Sequence, residues 1–145
     1  MKSKVDFPSM NEKEPEGWKS DGNPYRVLIV DDSMFIAKQL GQILTSAGFD
    51  VVATASNGEE AIEKYKELHP KLDLVTMDIT MPKMDGVTAL EKIVEFDKEA
   101  VVVMISALGK NDLVKDSLMK GAKNYIVKPL DRKKVLERIL MALKK

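Results

Sequence analysis

Five residues of types that bind metal ions or attack electrophiles each follow a short apolar run. They are Asp31, Asp32, Asp78, Ser106 and Lys128. Each has an ordinary explanation by itself, because an aspartate can cap a helix, a serine can form a turn and a lysine is usually solvated. Their repeated position after apolar runs favours a shared site over five separate roles.

Three aspartates brought together would require a cation. Two carboxylates about 4 Å apart repel each other by roughly 4 kcal/mol at an effective dielectric constant near 20. Mg²⁺ suits such oxygen ligands, whereas zinc is disfavoured because the chain has no cysteine and a single histidine, His69. We expect His69 to be a solvated surface residue. A carboxylate such as Asp78 can then act as a nucleophile towards phosphorus, with a lysine and a hydroxyl offsetting the negative charge.

The elements that would position these residues alternate regularly between strand and helix. Apolar runs of strand length occur at 27–30, 51–55, 73–77, 101–105 and 125–127. Apolar residues at helical spacing follow each run, with Gly48 and Gly121 expected to end two of the helices and Asp131 to cap the last. Five such units predict an α/β fold with a five-stranded parallel sheet and helices on both faces. Ligands of such sheets bind at the carboxyl ends of the strands.

Four segments resemble the receiver domain of bacterial two-component response regulators. They are VLIVDDS at 27–33, MDITMPKMDG at 77–86, ISA at 105–107 and KNYIVKP at 123–129. The resemblance covers residues 25–145 and is strongest to the stand-alone chemotaxis regulators. It implies a (βα)5 flavodoxin-like fold with strand order 2-1-3-4-5, an order for which one member of this family is a standard example.

The resemblance also implies a role for each matched residue. Asp78 would accept the phosphoryl group, and Mg²⁺ would be held by Asp31, Asp32, Asp78 and the backbone carbonyl of Thr80. Ser106 and Lys128 would contact the phosphoryl group, Tyr125 would be an aromatic switch, and the Lys128–Pro129 bond would be cis. From the sequence alone Tyr125 could equally be a static core residue. Thr80 and Leu108 lie where family members vary between polar and apolar residues, which leaves the phosphate lifetime and the choice of phosphatase open. Gly86 is expected to permit an unusual backbone conformation.

Residues 1–24 differ from the rest of the chain. They contain three prolines and two glycines without a hydrophobic period, so we predict a mobile N-terminal extension before a receiver domain at 25–145. Trp18 within it could be a docking anchor or a half-exposed tail residue. No apolar run is long enough to span a bilayer, and a cysteine-free chain without a secretory signal is expected in the cytoplasm.

Formal net charge is zero, which gives no indication of nucleic-acid binding. The charge is unevenly distributed, because residues 110–145 carry 11 basic and 4 acidic groups, a net of +7. The candidate partner face is Lys110, Lys115, Lys120, Lys123, Tyr125 and Lys128. The resemblance implies a CheA-type histidine kinase as phosphodonor, a FliM-type flagellar switch protein as target, and a phosphatase of the CheX, CheC, FliY or CheZ type. A solvated lysine-rich surface is the plainer alternative.

We therefore expect a monomeric signalling protein, not an enzyme, that catalyses only its own phosphorylation and dephosphorylation. One alternative is a receiver in a non-motility phosphorelay. A haloacid-dehalogenase-type phosphatase is disfavoured because its signature is Asp-x-Asp after the first strand, whereas Asp31 and Asp32 are adjacent here. A flavin- or nucleotide-binding module is disfavoured because no glycine-rich loop follows the first strand.

Overall fold

The structure, a computed structural model, describes residues 17–144 as five strands alternating with five helices. The strands are β1 (Arg26–Val30), β2 (Asp50–Ala55), β3 (Leu74–Asp78), β4 (Val102–Ser106) and β5 (Asn124–Val127). The helices are α1 (Met34–Ser46), α2 (Gly58–Leu68), α3 (Gly86–Phe96), α4 (Asn111–Met119) and α5 (Arg132–Lys144). All four strand pairings are parallel and the order is β2-β1-β3-β4-β5. The predicted fold class and strand order are confirmed.

The sheet separates two apolar cores. Successive residues of a strand point to opposite faces, so Leu28 and Val30 enter the core under α2, α3 and α4, whereas Val27 and Ile29 enter the core under α1 and α5. Every residue of β3 and β4 is buried. Strands covered on both faces are mostly apolar, which is why the sequence shows nearly continuous runs instead of alternation.

The helix ends follow local sequence signals. The side chains of Ser33, Asn57 and Asp85 accept hydrogen bonds from the backbone at the starts of α1, α2 and α3. Gly48 and Gly121 follow α1 and α4 with φ angles of 98° and 116°, in the left-handed region that favours glycine. The predicted helix ends at these two glycines are confirmed.

The segment before β1 is attached to the domain. The Gly17 backbone N–H donates to the Ala47 carbonyl at 2.8 Å, and the Tyr25 N–H donates to the Gly17 carbonyl at 2.7 Å. A Cβ on Gly17 would overlap Phe49, so the two backbones lie in direct contact. Residues 17–24, assigned above to the extension, are therefore hydrogen-bonded to the domain. The rest of the predicted extension, residues 1–16, lies outside the described residues.

Trp18 forms an isolated antiparallel bridge with Pro24, and 48% of its surface is exposed.

Within residues 17–144, no helix combines the length and apolarity that crossing a bilayer would require.

Candidate phosphorylation and metal site

The strand order brings the candidate residues together at the carboxyl-terminal end of the sheet. β3 lies between β1 and β4, and β5 lies beyond β4. Asp31 directly follows β1, Asp78 ends β3, Ser106 ends β4 and Lys128 directly follows β5. Because the four strands are parallel, their carboxyl ends lie at the same end of the sheet.

Three carboxylates converge there. One carboxylate oxygen from each of Asp31, Asp32 and Asp78 lies within 4.8 Å of the other two. Asp31 and Asp78 are each only 5% exposed, whereas Asp32 is exposed to solvent. The cluster therefore has two buried carboxylates and one open side.

Lys128 supplies the positive charge. Its Nζ lies 3.4 Å from Asp78 Oδ1 and 3.8 Å from Asp31 Oδ2. β5 fixes this position, because the Lys128 N–H donates to the Ser106 carbonyl at 2.8 Å. The Lys128–Pro129 peptide bond is cis, as the resemblance implied.

The balance of burial and charge sets the protonation of the two buried carboxyls. Burial, followed by the neighbouring Asp31 carboxylate, raises the pKa of Asp78 to about 6, with Lys128 opposing the shift. Burial likewise raises the pKa of Asp31, against the Ser33 N–H and Lys128. Both directions reflect negative charge held away from water without a sufficient counter-charge.

This arrangement fits a divalent cation. Asp31 Oδ1 accepts the Ser33 N–H at 2.8 Å, whereas Asp31 Oδ2 is buried without a hydrogen-bond partner among the described residues. Lys128 Nζ, 3.8 Å from Asp31 Oδ2, is beyond hydrogen-bonding distance. Buried polar atoms are normally hydrogen-bonded, so a carboxylate oxygen without a hydrogen bond beside two other carboxylates fits a metal ligand. Oxygen-only ligands suit Mg²⁺.

The single histidine lies elsewhere. His69 caps the end of α2, and its Nε2 lies 3.5 Å from Asp97 Oδ2, which also accepts the Tyr65 hydroxyl at 2.6 Å. His69 is exposed, as expected, but packing against Phe96 also holds its ring beside this carboxylate.

Ser106 and Thr80 flank the acidic cluster. Ser106 is 1% exposed, and its hydroxyl donates to the adjacent Ala107 carbonyl at 2.9 Å. Thr80 is exposed two residues after Asp78, and Leu108 is 83% exposed two residues after Ser106. The side chains at the two variable positions both lie in solvent at the edge of the site.

The loop between β3 and α3 depends on close backbone contact. A Cβ on Gly86 would overlap the carbonyl oxygen of Asp78, and the Gly86 N–H donates to the Ile79 carbonyl at 2.7 Å. The expected unusual conformation at Gly86 is wrong, because the residue of this loop with a positive φ is Lys83, at 67°. Gly86 is required for space beside Asp78.

The candidate partner face is divided by the structure. Lys110, Lys115 and Lys123 are exposed, whereas Lys120 is paired with Glu91 at 3.4 Å and with Asp116 at 3.3 Å. Lys128 points into the acidic cluster instead of outward, with its Nζ 3.4 Å from Asp78 Oδ1.

The apolar part of this face was not predicted from the sequence. Its exposed apolar residues are Leu113, Leu118, Met119 and Val127. The signal was available, because Met119, which is 87% exposed, lies in α4 outside the stripe marked by buried Val114 and Ser117. Isolated exposed apolar residues are common on protein surfaces, so the position of Met119 outside the buried stripe did not by itself indicate a binding surface.

Tyr125 is half-buried on β5, opposite Met104 of β4, and packs at the edge of the core under α2–α4. It is two residues before Val127, the register partner of Ser106.

Known proteins resemble this chain over most of its length. The family model described as the response regulator receiver domain matches residues 27–140. A chemotaxis protein CheY from Treponema pallidum is 68% identical over 144 residues, 99% of this chain and 100% of the relative. A chemotaxis protein CheY from Bacillus subtilis is 52% identical over 115 residues, 79% of this chain and 94% of the relative.

A solved structure agrees with these relatives. The crystal structure of the CheX-CheY-BeF3-Mg complex from Borrelia burgdorferi superimposes with a TM-score of 0.88 at 60% identity, covering 92% of this chain and 100% of that one. These similarities confirm the resemblance to CheY-type regulators and argue against the phosphatase and flavin alternatives.

Proposed function

The chain belongs to the response regulator receiver domain family, and we propose that Asp78 is its phosphoacceptor, assisted by Mg²⁺, Lys128 and Ser106. The protein is a two-component response regulator of the chemotaxis type that is phosphorylated on an aspartate. The observation that carries the choice of residue is the position of Asp78: it is a buried carboxylate 3.4 Å from a lysine and within 4.8 Å of two further carboxylates.

The transfer requires an ionised Asp78. With its pKa near 6, the group is mostly ionised at pH 7 even without a metal ion. One Asp78 oxygen forms a bond to phosphorus while the bond from phosphorus to the donor's histidine nitrogen breaks, and that nitrogen takes the electron pair. Lys128 Nζ offsets the charge of the transferred group, and the exposed side of the cluster at Asp32 leaves room for the donor.

Asp31, Asp32, Asp78 and the Thr80 backbone carbonyl would hold Mg²⁺. The ion would neutralise charge on the acceptor and on the phosphoryl oxygens. The orphaned Asp31 Oδ2 supports this assignment.

The output follows from the change at Asp78. The Ser106 hydroxyl is bonded to the Ala107 carbonyl, a weak local contact that it can exchange for a phosphoryl oxygen. We propose that this exchange moves β4 and lets Tyr125 turn inward. The surface read by the partner would then be Lys110, Lys115 and Lys123 together with the exposed apolar residues of α4.

The proposed partners are a CheA-type histidine kinase, a FliM-type flagellar switch protein and a phosphatase, for which the CheX in the Borrelia complex favours the CheX type over CheC, FliY or CheZ. We further propose a cytoplasmic monomer that catalyses only its own phosphorylation and dephosphorylation and binds neither nucleic acid nor membranes. Residues 25–145 would carry these functions, with residues 1–24 as an appended segment.

Intact mass spectrometry tests the acceptor. Incubation with Mg²⁺ and acetyl phosphate should add one phosphoryl group to the wild type and none to Asp78→Asn. Asp50→Asn is the matched control. Asp50 begins β2, at the end of the sheet opposite the site, so this variant should still form the adduct. An adduct that persists in Asp78→Asn would show that another group is the acceptor.

Charge reversal tests the partner face. Lys115→Glu and Lys123→Glu should each weaken binding of the phosphorylated protein to the switch protein. Lys120→Glu breaks pairs with Glu91 and Asp116 within this chain, so it should lower stability as well as affinity. Unchanged affinity for the first two variants would remove this face from the proposal.

A further inference from the structure

Tyr125 is covered by an arginine from the opposite face of the sheet. The Arg138 guanidinium carbon lies 4.7 Å from the centroid of the Tyr125 ring. Arg138 belongs to α5, which packs on the core with α1, whereas the Tyr125 ring packs at the other core, under α2–α4. Since β5 is an edge strand, the arginine reaches around the free edge of the sheet to meet the ring.

A buried asparagine holds the arginine in place. Asn124 is 8% exposed, and its Oδ1 accepts Arg138 Nη1 at 3.1 Å and the Tyr125 backbone N–H at 2.9 Å. Its Nδ2 donates to the Arg138 carbonyl at 3.1 Å. The amide therefore ties Arg138 to β5 through both its side chain and its backbone, so that little rotamer freedom remains to oppose the contact with the ring.

The geometry points to Arg138 as a positioning residue that holds Tyr125 in the conformation of the unphosphorylated protein, with Asn124 as its anchor. This inference rests on the proposed switch role of Tyr125. In the described structure the Ser106 hydroxyl donates to the Ala107 carbonyl, and we take this as the unphosphorylated arrangement because Ser106 would contact the phosphoryl group after transfer. An inward turn of the ring would take it away from the guanidinium, so the contact opposes switching in the absence of phosphate.

The expected size follows from the type of contact. A cation over an aromatic ring at a partly exposed site contributes about 0.5–1 kcal/mol, which corresponds to a change of roughly two- to fivefold in a conformational equilibrium. The contact between Arg138 and Tyr125 should therefore favour the conformation of the unphosphorylated protein, and phosphorylation should still be able to overcome it.

The test is NMR spectroscopy of the full chain with ¹³C-labelled tyrosine rings, with and without Mg²⁺ and beryllium fluoride as a phosphoryl mimic. Arg138→Ala should increase the inward-to-outward ratio of Tyr125 roughly two- to fivefold in the absence of the mimic. Arg138→Met preserves much of the length without the charge and should behave like the alanine variant, whereas Arg138→Lys should restore part of the wild-type ratio. Arg132→Ala, also on α5 but bonded to Ser46, should leave the Tyr125 signals unchanged.

Asn124→Ala should act through the arginine. Its effect on the Tyr125 ratio should be similar in direction to that of Arg138→Ala, and the double variant should show no further increase, as expected for two residues that form one unit.

The outcomes distinguish the positioning role of Arg138 from the proposed function. If Arg138→Ala leaves the inward-to-outward ratio of Tyr125 unchanged while the wild-type ring responds to beryllium fluoride, the positioning role of Arg138 is refuted and the switch role of Tyr125 stands. If the Arg138→Met ratio equals that of the wild type, the charge contact is refuted. A wild-type ring that does not respond to beryllium fluoride would refute the switch role of Tyr125 and this inference with it.

Discussion

Replacing Asp78 by asparagine should stabilise the metal-free protein. The pKa of Asp78 rises from 3.8 to about 6 on folding, mainly because the carboxyl is buried and lies beside Asp31. A folded-state pKa above the unfolded one means that the folded chain holds its proton more tightly. Above pH 6 the ionised group therefore destabilises the fold by about 3 kcal/mol relative to low pH, at 1.36 kcal/mol per pKa unit.

The pH window follows from the same two values. The contribution of Asp78 to the free energy of unfolding is fully present below pH 3.8 and is lost as the pH rises through about 6. Asparagine cannot ionise, so the variant should lack this loss. We expect a gain of about 1–3 kcal/mol at pH 7.5, where the upper end corresponds to the whole pKa shift, which already includes the opposing attraction of Lys128.

Urea unfolding followed by circular dichroism measures this gain, in EDTA, at pH 5.0 and pH 7.5. The difference between wild type and Asp78→Asn should grow with pH. Glu63→Gln, an exposed carboxyl on α2, is the matched control and should show no such growth. Saturating Mg²⁺ should stabilise the wild type more than the variant, because ligand binding to the folded state adds to stability.

Two results would refute this reasoning. Equal stability of wild type and Asp78→Asn at pH 7.5 would show that the carboxyl is not desolvated. A gain that is the same at both pH values would show that the effect arises from packing and not from charge.

Three further predictions concern neighbouring contacts. Lys128→Met should raise the pKa of Asp78 further, because it removes the cation 3.4 Å away, and should slow the phosphorylation rate measured with acetyl phosphate, whereas an unchanged rate would exclude Lys128 from the transfer. Gly86→Ala should destabilise the protein by more than about 2 kcal/mol in urea unfolding, because the added Cβ overlaps the Asp78 carbonyl oxygen; a loss below 1 kcal/mol would mean that the loop shifts freely. Tyr65→Phe should cost about 1.5–3 kcal/mol in the same assay, because it removes a 2.6 Å hydrogen bond to the partly buried carboxylate of Asp97, and a neutral result would contradict that bond.

Much of the fold could be predicted from the chain because its signals are local. Continuous apolar runs mark strands covered on both faces, and the glycines at 48 and 121 mark helix ends. Strand bounds shifted by a residue or two, so that Asp78 and Ser106 end β3 and β4 where the sequence placed them just after the strands.

What could not be predicted concerns residues whose surroundings are set by other parts of the chain. His69 is exposed as predicted, but its contact with Asp97, 28 positions away at the end of another helix, has no local signal. Gly86 appeared to need a special φ, whereas it needs room beside a strand that ends eight positions earlier.

The sequence by itself determined the alternation of strands and helices, the receiver family and the residue types of the acidic site, because periodicity and motif spacing are properties of the chain. Only the tertiary structure decided which carboxyls lose water, that Lys128 points into the acidic cluster and away from the partner face, and which residue covers Tyr125. Those outcomes depend on burial and on side-chain direction at the sheet edge, and both arise when strands distant in sequence are brought side by side.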